Sequence, residues 1–106
     1  MTRKAVFFRL KPGAAEEYQR RHAVLPEAMR TVLDKAGFLD YSIWRIDDML
    51  FACYELIDEE RARLVLESSP VYKQWRFWME DVVAVDDDGR KEWPMELVFL
   101  HEGQTG

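Results

Sequence analysis

Tyr41-Ser42-Ile43-Trp44-Arg45-Ile46-Asp47-Asp48-Met49-Leu50-Phe51-Ala52-Cys53-Tyr54-Glu55-Leu56 holds two strand-like runs, 41–46 and 49–56, parted only by Asp47-Asp48. β-branched and aromatic side chains suit a pleated surface, and a short acidic break suits a tight turn, so the stretch predicts an antiparallel hairpin. Upstream, residues 4–10 alternate loosely between aromatic or β-branched and basic side chains and stop at Pro12-Gly13, which reads as another strand. Between these strands the apolar and aromatic positions 14, 18, 22, 25, 29, 32, 33 and 36 follow helical spacing, and Gly37 stands where a C-cap glycine belongs. Pro26 lacks an N–H and crowds the preceding turn, so the helix is expected to break near Ala23 to Leu25 and restart at Pro26-Glu27.

Downstream of the hairpin, Asp58 is placed to cap a short helix running to Leu66. Ser69-Pro70 restarts a helix expected to reach Val83, with Val71, Trp75, Trp78, Met79 and Val82 on one face. Asp86-Asp87-Asp88-Gly89-Arg90 reads as a polar loop, and Met95 to His101 as the last strand. The order β, α, β, β, α, β predicts an α+β, ferredoxin-like fold with an antiparallel sheet.

The 106 residues are expected to form one domain over 1–106, with a core that is thin at this size. With 20 acidic against 15 basic side chains, the chain lacks the basic face that phosphate backbones require, so no nucleic-acid partner is expected. No apolar run approaches the ~20 residues of a membrane span, and residues 1–10 carry no signal-peptide pattern. A single cysteine allows no internal disulfide, which favours a cytoplasmic location. Cys53, mid-strand and without a basic neighbour, is expected to be a buried, inert thiol.

Both parities of 49–56 are apolar: Met49, Phe51 and Cys53 on one, Leu50, Ala52, Tyr54 and Leu56 on the other. Helices cover only one face of such a sheet, and a second copy most simply covers the other. The expectation is a two-fold homodimer with sheets face to face, and a pocket between each sheet and its own helices or loops.

His22 falls one i+4 step after Tyr18 on the inward stripe of the first helix, so the two side chains share a face. An imidazole beside a pocket exchanges protons near neutral pH, and a phenol next to it can bind a hydroxyl. The plainer alternative is a core histidine satisfied by a backbone carbonyl. Trp75 and Trp78 offer flat faces suited to the C–H face of a sugar, or else are ordinary core. Tyr41 reaches either a pocket mouth or water. The two histidines, 22 and 101, are far apart in sequence, and neither a Cys-x-x-Cys nor a glycine-rich phosphate loop is present, so no metal centre is expected.

The chain resembles the L-rhamnose mutarotase family at Arg3-Lys4-Ala5, Pro12, Glu16-Glu17-Tyr18-Gln19-Arg20-Arg21-His22, Pro26-Glu27, Gly37, Tyr41-Ser42-Ile43, Leu50-Phe51-Ala52, Glu59-Glu60-Arg61, Trp75 with Met79, and Val98-Phe99. The most specific part is the Glu-Glu-Tyr-x-x-x-His run at its distance from Tyr41. The resemblance implies a dimeric ferredoxin-like α/β barrel that interconverts the anomers of L-rhamnose, a small monosaccharide, without metal or organic cofactor. It places the proton donor on His22, acting as acid on ring opening and base on reclosure, and the sugar-binding residues on Tyr18, Tyr41 and Trp75. Arg76 stands where the family has a second tryptophan, with Trp78 two positions later, and both are candidate sugar-binding residues. Further departures are Leu25 before Pro26, Ala62 after Glu-Glu-Arg, and Asp86-Asp87-Asp88-Gly89 in place of Asn-Pro-Asp-Asn. The alternatives carried forward are L-fucose as main substrate, a non-catalytic small-molecule-binding barrel, and a small monooxygenase of the same fold.

Overall fold

The computed structural model describes residues 1–104. Its elements are β1 (Thr2–Arg9), α1 (Ala15–Ala23), α2 (Glu27–Ala36), β2 (Phe38–Ile46), β3 (Met49–Leu56), α3 (Glu59–Ser68), α4 (Pro70–Met79) and β4 (Glu92–Pro94). One antiparallel sheet runs in the order β2-β3-β1-β4, the ferredoxin-like arrangement expected from the sequence. The hairpin closes at Ile46 opposite Met49, and Asp47 takes the left-handed turn conformation at φ 51°. The helical region breaks at Pro26, whose carbonyl accepts from Met29 and Arg30 at 3.0 and 3.2 Å as α2 begins. Gly37 ends α2 at φ 83°, its N–H turned back to Leu33 and Asp34. Asp58 and Ser69 cap α3 and α4 through the backbone N–H groups of Arg61 and Tyr72, at 2.9 and 3.1 Å.

Paired residues show which side of the sheet is covered. Phe8 opposite Leu50 and Val6 opposite Ala52 face the helices. There Leu50 joins Leu10, Tyr18, Met79 and Val82 in the main core cluster. A second cluster of Ala36, Leu56 and Ala62 seats α2 and α3 at the other end. The opposite face carries Ala5, Phe7, Trp44, Ile46, Met49, Phe51, Cys53 and Trp93, and among the described residues no helix or strand lies over it. Phe7 packs on Phe51 at 5.4 Å and on Trp93 at 5.8 Å. Cys53 is therefore exposed, not buried: Ala5 and Ser42 pair with it on the uncovered face.

Two further expectations are corrected. α4 ends at Met79 instead of reaching Val83, because the next residues find strand-type partners at the end of β1. Val83 bridges Leu10, Lys11 N–H donates to Val82 at 2.9 Å, and Ala84 N–H donates to Arg9 at 2.9 Å. The last strand is Glu92–Pro94, not 95–101. After Met95 N–H donates to Ala5 at 2.8 Å, the chain runs off the sheet in no regular structure, leaving Val98 92% and Phe99 80% exposed. The expected polar loop is a turn in which Asp86 Oδ1 accepts from Asp88 and Arg90 backbone N–H groups.

Candidate active site

The apolar stripe of α1 turns Tyr18 and His22 toward the sheet, while Arg21 leaves the same helix on another side. Arg21 donates to Asp81 at 2.7 and 3.1 Å, to the Trp78 carbonyl at 2.7 Å and to Glu17 at 3.0 Å. The Asp81 hydrogen bond, against some desolvation, raises the Arg21 pKa, and the same contact lowers that of Asp81. This fork ties α1 to the chain just beyond α4 and so fixes His22 against the residues of α4.

Tyr18 is buried under α1 with its ring 6.1 Å from Phe8, and His22 lies 4.3 Å from the Tyr18 ring, centroid to centroid. Trp75 of α4 meets His22 edge-on at 5.2 Å. The His22 Nδ1 sits 3.1 Å from the Tyr18 carbonyl oxygen. Since a carbonyl only accepts, Nδ1 carries the hydrogen and Nε2 keeps its lone pair. Burial lowers the His22 pKa below its ordinary value, and the hydrogen bond to Tyr18 opposes this only in part, so the neutral ring is the resting form at neutral pH. The plainer expectation, a histidine satisfied by a backbone carbonyl, is met at Nδ1, and among the described residues Nε2 makes no hydrogen bond.

Tyr41 enters through an irregularity in β2. Phe38 and Leu39 pair with Leu56 and Glu55, then Ser42 pairs with Cys53, so Asp40 and Tyr41 together stand opposite Tyr54. Asp40 accommodates this bulge at φ 50°. Residues 38 and 41 would face opposite sides of an unbroken strand, yet here both face the helices and stack at 5.4 Å, each touching Tyr54. Burial, then the neighbouring Tyr54 and Tyr72 phenols and the Glu92 carboxylate, raise the Tyr41 pKa, with Arg76 opposing. Burial and then Tyr41 raise that of Tyr18. Both phenols are protonated at neutral pH and can donate as well as accept.

These side chains line one cleft of about 1010 Å³ between sheet and helices. Its wall near Phe8, Leu50 and Trp75 is apolar, and polar groups converge on it from α1, β2, α4 and β4, which suits a small molecule with one C–H face and several hydroxyls. Of the residues singled out in the sequence, Tyr18, His22, Tyr41, Trp75 and Arg76 line it. Trp78 does not: it packs edge-on against Trp75 at 5.3 Å, under the Arg21 guanidinium, and borders a separate groove with Phe77. Arg76 is the residue that follows Trp75 into the cleft.

Tyr54, Tyr72, Arg45 and Glu92 also line the cleft and were not foreseen there. Tyr54 has the parity of Leu50 and Ala52, and Tyr72 precedes Trp75 by one helical turn, so both carried a signal. Glu92 carries none, because the strand-like sequence begins three residues later, at Met95, than the strand itself. Among the described residues no three His, Cys, Asp or Glu side chains converge as a metal site.

A family model described as L-rhamnose mutarotase matches residues 3–101 of the chain. The L-rhamnose mutarotase of Phocaeicola vulgatus is 36% identical over 90 residues, which cover 83% of this chain and 86% of that protein. The crystal structure of an L-rhamnose mutarotase from Formosa agariphila matches with a TM-score of 0.81 at 27% identity, over 96% of this chain and 100% of that one. The tetracenomycin F2 cyclase of Streptomyces glaucescens, a type-II polyketide cyclase, matches with a TM-score of 0.69 at 18% identity, over 98% and 100% of the two chains, and so shares the fold alone.

Proposed function

Because the chain belongs to the L-rhamnose mutarotase family, we infer that it is an isomerase interconverting the α and β anomers of L-rhamnose by opening and reclosing the pyranose ring. The observation that supports the site assignment is His22, a neutral residue lining the cleft, with Nδ1 on the Tyr18 carbonyl and, among the described residues, no hydrogen bond at Nε2. A neutral imidazole accepts a proton before it donates one. His22 Nε2 takes the proton of the anomeric hydroxyl as the C1–O5 bond breaks, O5 takes a proton from water, and the open-chain aldehyde results. After rotation about C1–C2, O5 attacks either face of C1 and releases its proton to water, while His22 returns its own to O1. This order, base first, is the reverse of the donor-first order expected from the family resemblance, and the ring's neutral resting state is the reason. Tyr18 and Tyr41 hold hydroxyls as protonated phenols, Trp75 packs on the sugar, and Arg76 adds a polar contact from α4.

Family membership favours this reaction over the binding-only and monooxygenase alternatives, and relatives named for L-rhamnose favour that sugar over L-fucose. The test is anomer exchange followed by NMR saturation transfer on both sugars. His22→Gln should lose ~10²- to 10⁴-fold in rate while still binding sugar. Undiminished exchange in that variant would overturn the role of His22.

The apolar, uncovered sheet face and the projecting 95–101 segment support a homodimer in which two sheets pack face to face. The lone cysteine supports a reducing, cytoplasmic location as part of the same proposal.

A further inference from the structure

The cleft has a second polar end that proton transfer at the anomeric carbon does not use. Tyr72 and Arg76 project from successive turns of α4, where Arg76 Nη1 donates to Tyr72 Oη at 3.0 Å and the guanidinium lies 5.6 Å from the Tyr72 ring centroid. Glu92 pairs with Phe8 across β1 and β4, which puts its side chain on the cleft face of the sheet. Among the described residues neither Arg76 nor Glu92 forms an ion pair within 4.0 Å, unlike Glu80, which Lys91 approaches at 3.7 Å. The two charges nevertheless share one space. Burial works against the Arg76 charge, yet the Tyr72 phenol and Glu92 hold its pKa above the ordinary value.

A guanidinium with spare N–H donors and a carboxylate with spare lone pairs line one cleft without an ion pair between them, an arrangement that suits a ligand with both an acceptor and a donor. Both residues are exposed, so water solvates them when no ligand is bound; one hydroxyl accepting from Arg76 and an adjacent one donating to Glu92 replace that water on both, whereas a methyl group or a lone hydroxyl replaces it on one at most. We propose that Arg76 and Glu92 form a diol clamp that binds two vicinal hydroxyls of the pyranose away from the anomeric carbon and so determines which sugars the enzyme accepts. Tyr72 positions Arg76 for this contact. The clamp rests on the mutarotase reading, but it concerns recognition and not proton transfer.

The test pairs protein and substrate deletions. Binding is read by tryptophan fluorescence, since Trp75 lines the cleft, and anomer exchange by saturation transfer, for L-rhamnose and its single-deoxy analogues at C2, C3 and C4. Wild-type protein should lose roughly 10- to 100-fold in Kd and KM on removal of either of two adjacent hydroxyls, as for hydrogen bonds to charged groups, with kcat little changed. In Glu92→Leu and Arg76→Leu, whose folding is checked by circular dichroism, removal of the hydroxyl that the lost side chain contacts should cost under about 2-fold, while removal of its neighbour keeps the wild-type penalty. Equal penalties in wild type and variants would overturn the clamp, as would a hexuronate that binds better than L-rhamnose through Arg76 alone. Coupled binding penalties without anomer exchange would sink the mutarotase reading and leave the clamp; exchange with additive penalties would do the reverse; no sugar binding at all would sink both.

Discussion

At the residue scale, His22 sets the pH behaviour. Its pKa is lowered, first by burial and against the hydrogen bond to Tyr18, so the unfolded chain binds its proton at a higher pH than the folded one. The base form therefore accumulates as pH rises through a folded value below the ordinary 6.5. The linked stability is complete above 6.5 and is lost as pH falls through the folded pKa. The kcat/KM of L-rhamnose exchange should climb through an acid limb with an apparent pKa below 6.5 and stay level through neutrality. A rate that falls with rising pH over that interval would restore the donor-first order. His22 and Tyr18 were legible because i,i+4 spacing is a local property of a helix. The neutrality of His22 was not, since it comes from burial of the ring in the tertiary fold, where Trp75 of α4 meets it, which no local pattern encodes.

At the scale of elements, sequence punctuation carried most of the fold. Pro26, Gly37, Asp47-Asp48, Asp58 and Ser69-Pro70 each act through backbone chemistry of their own, and each boundary they mark lies where it was expected. The misplaced ends, those of α4 and β4 and the start of β2, which begins at Phe38 and not Tyr41, depend on partners distant in sequence: Val83 pairs with Leu10, Glu92 with Phe8, and Phe38 with Leu56. The bulge at Asp40-Tyr41 was likewise invisible, as it exists only in the register against Tyr54. Gly37 offers a quantitative check. Its φ of 83° disfavours any side chain, and a Cβ there would sit 3.3 Å from the Ile57 Cβ, at the point where Gly37 also accepts from the Ile57 N–H at 3.0 Å. Gly37→Ala should cost about 1–2 kcal/mol in urea unfolding, from the left-handed conformation alone or slightly more with the contact, while KM for L-rhamnose stays near wild type. An unchanged midpoint would mean that α2 ends by another route.

At the scale of the whole molecule, the same β3 residues that made both sheet faces apolar in sequence now divide cleanly. Leu50 and Ala52 are each 1% exposed beneath the helices, while Trp44 and Ile46, beside Phe51 on the far side, remain 67% and 57% exposed. A continuous aromatic and aliphatic surface of this kind, with Phe7, Phe51 and Trp93 already packed together at its centre, is costly to leave in water. Residues 95–101 point the same way: the strand-like sequence is present, but among the described residues its backbone pairs only as far as Met95. A second copy would satisfy both surfaces at once, burying the open face and offering the segment a place to pack. Phe51→Glu puts a charge in the middle of that face, on the side of the sheet away from Tyr18 and His22, so it should convert a dimer to a folded monomer, by sedimentation equilibrium and circular dichroism, at micromolar concentration. Wild-type protein that sediments as a single chain under those conditions would remove the dimer. If instead the variant is monomeric and its exchange rate falls, the partner also shapes the cleft, because the substitution lies on the side of the sheet away from His22.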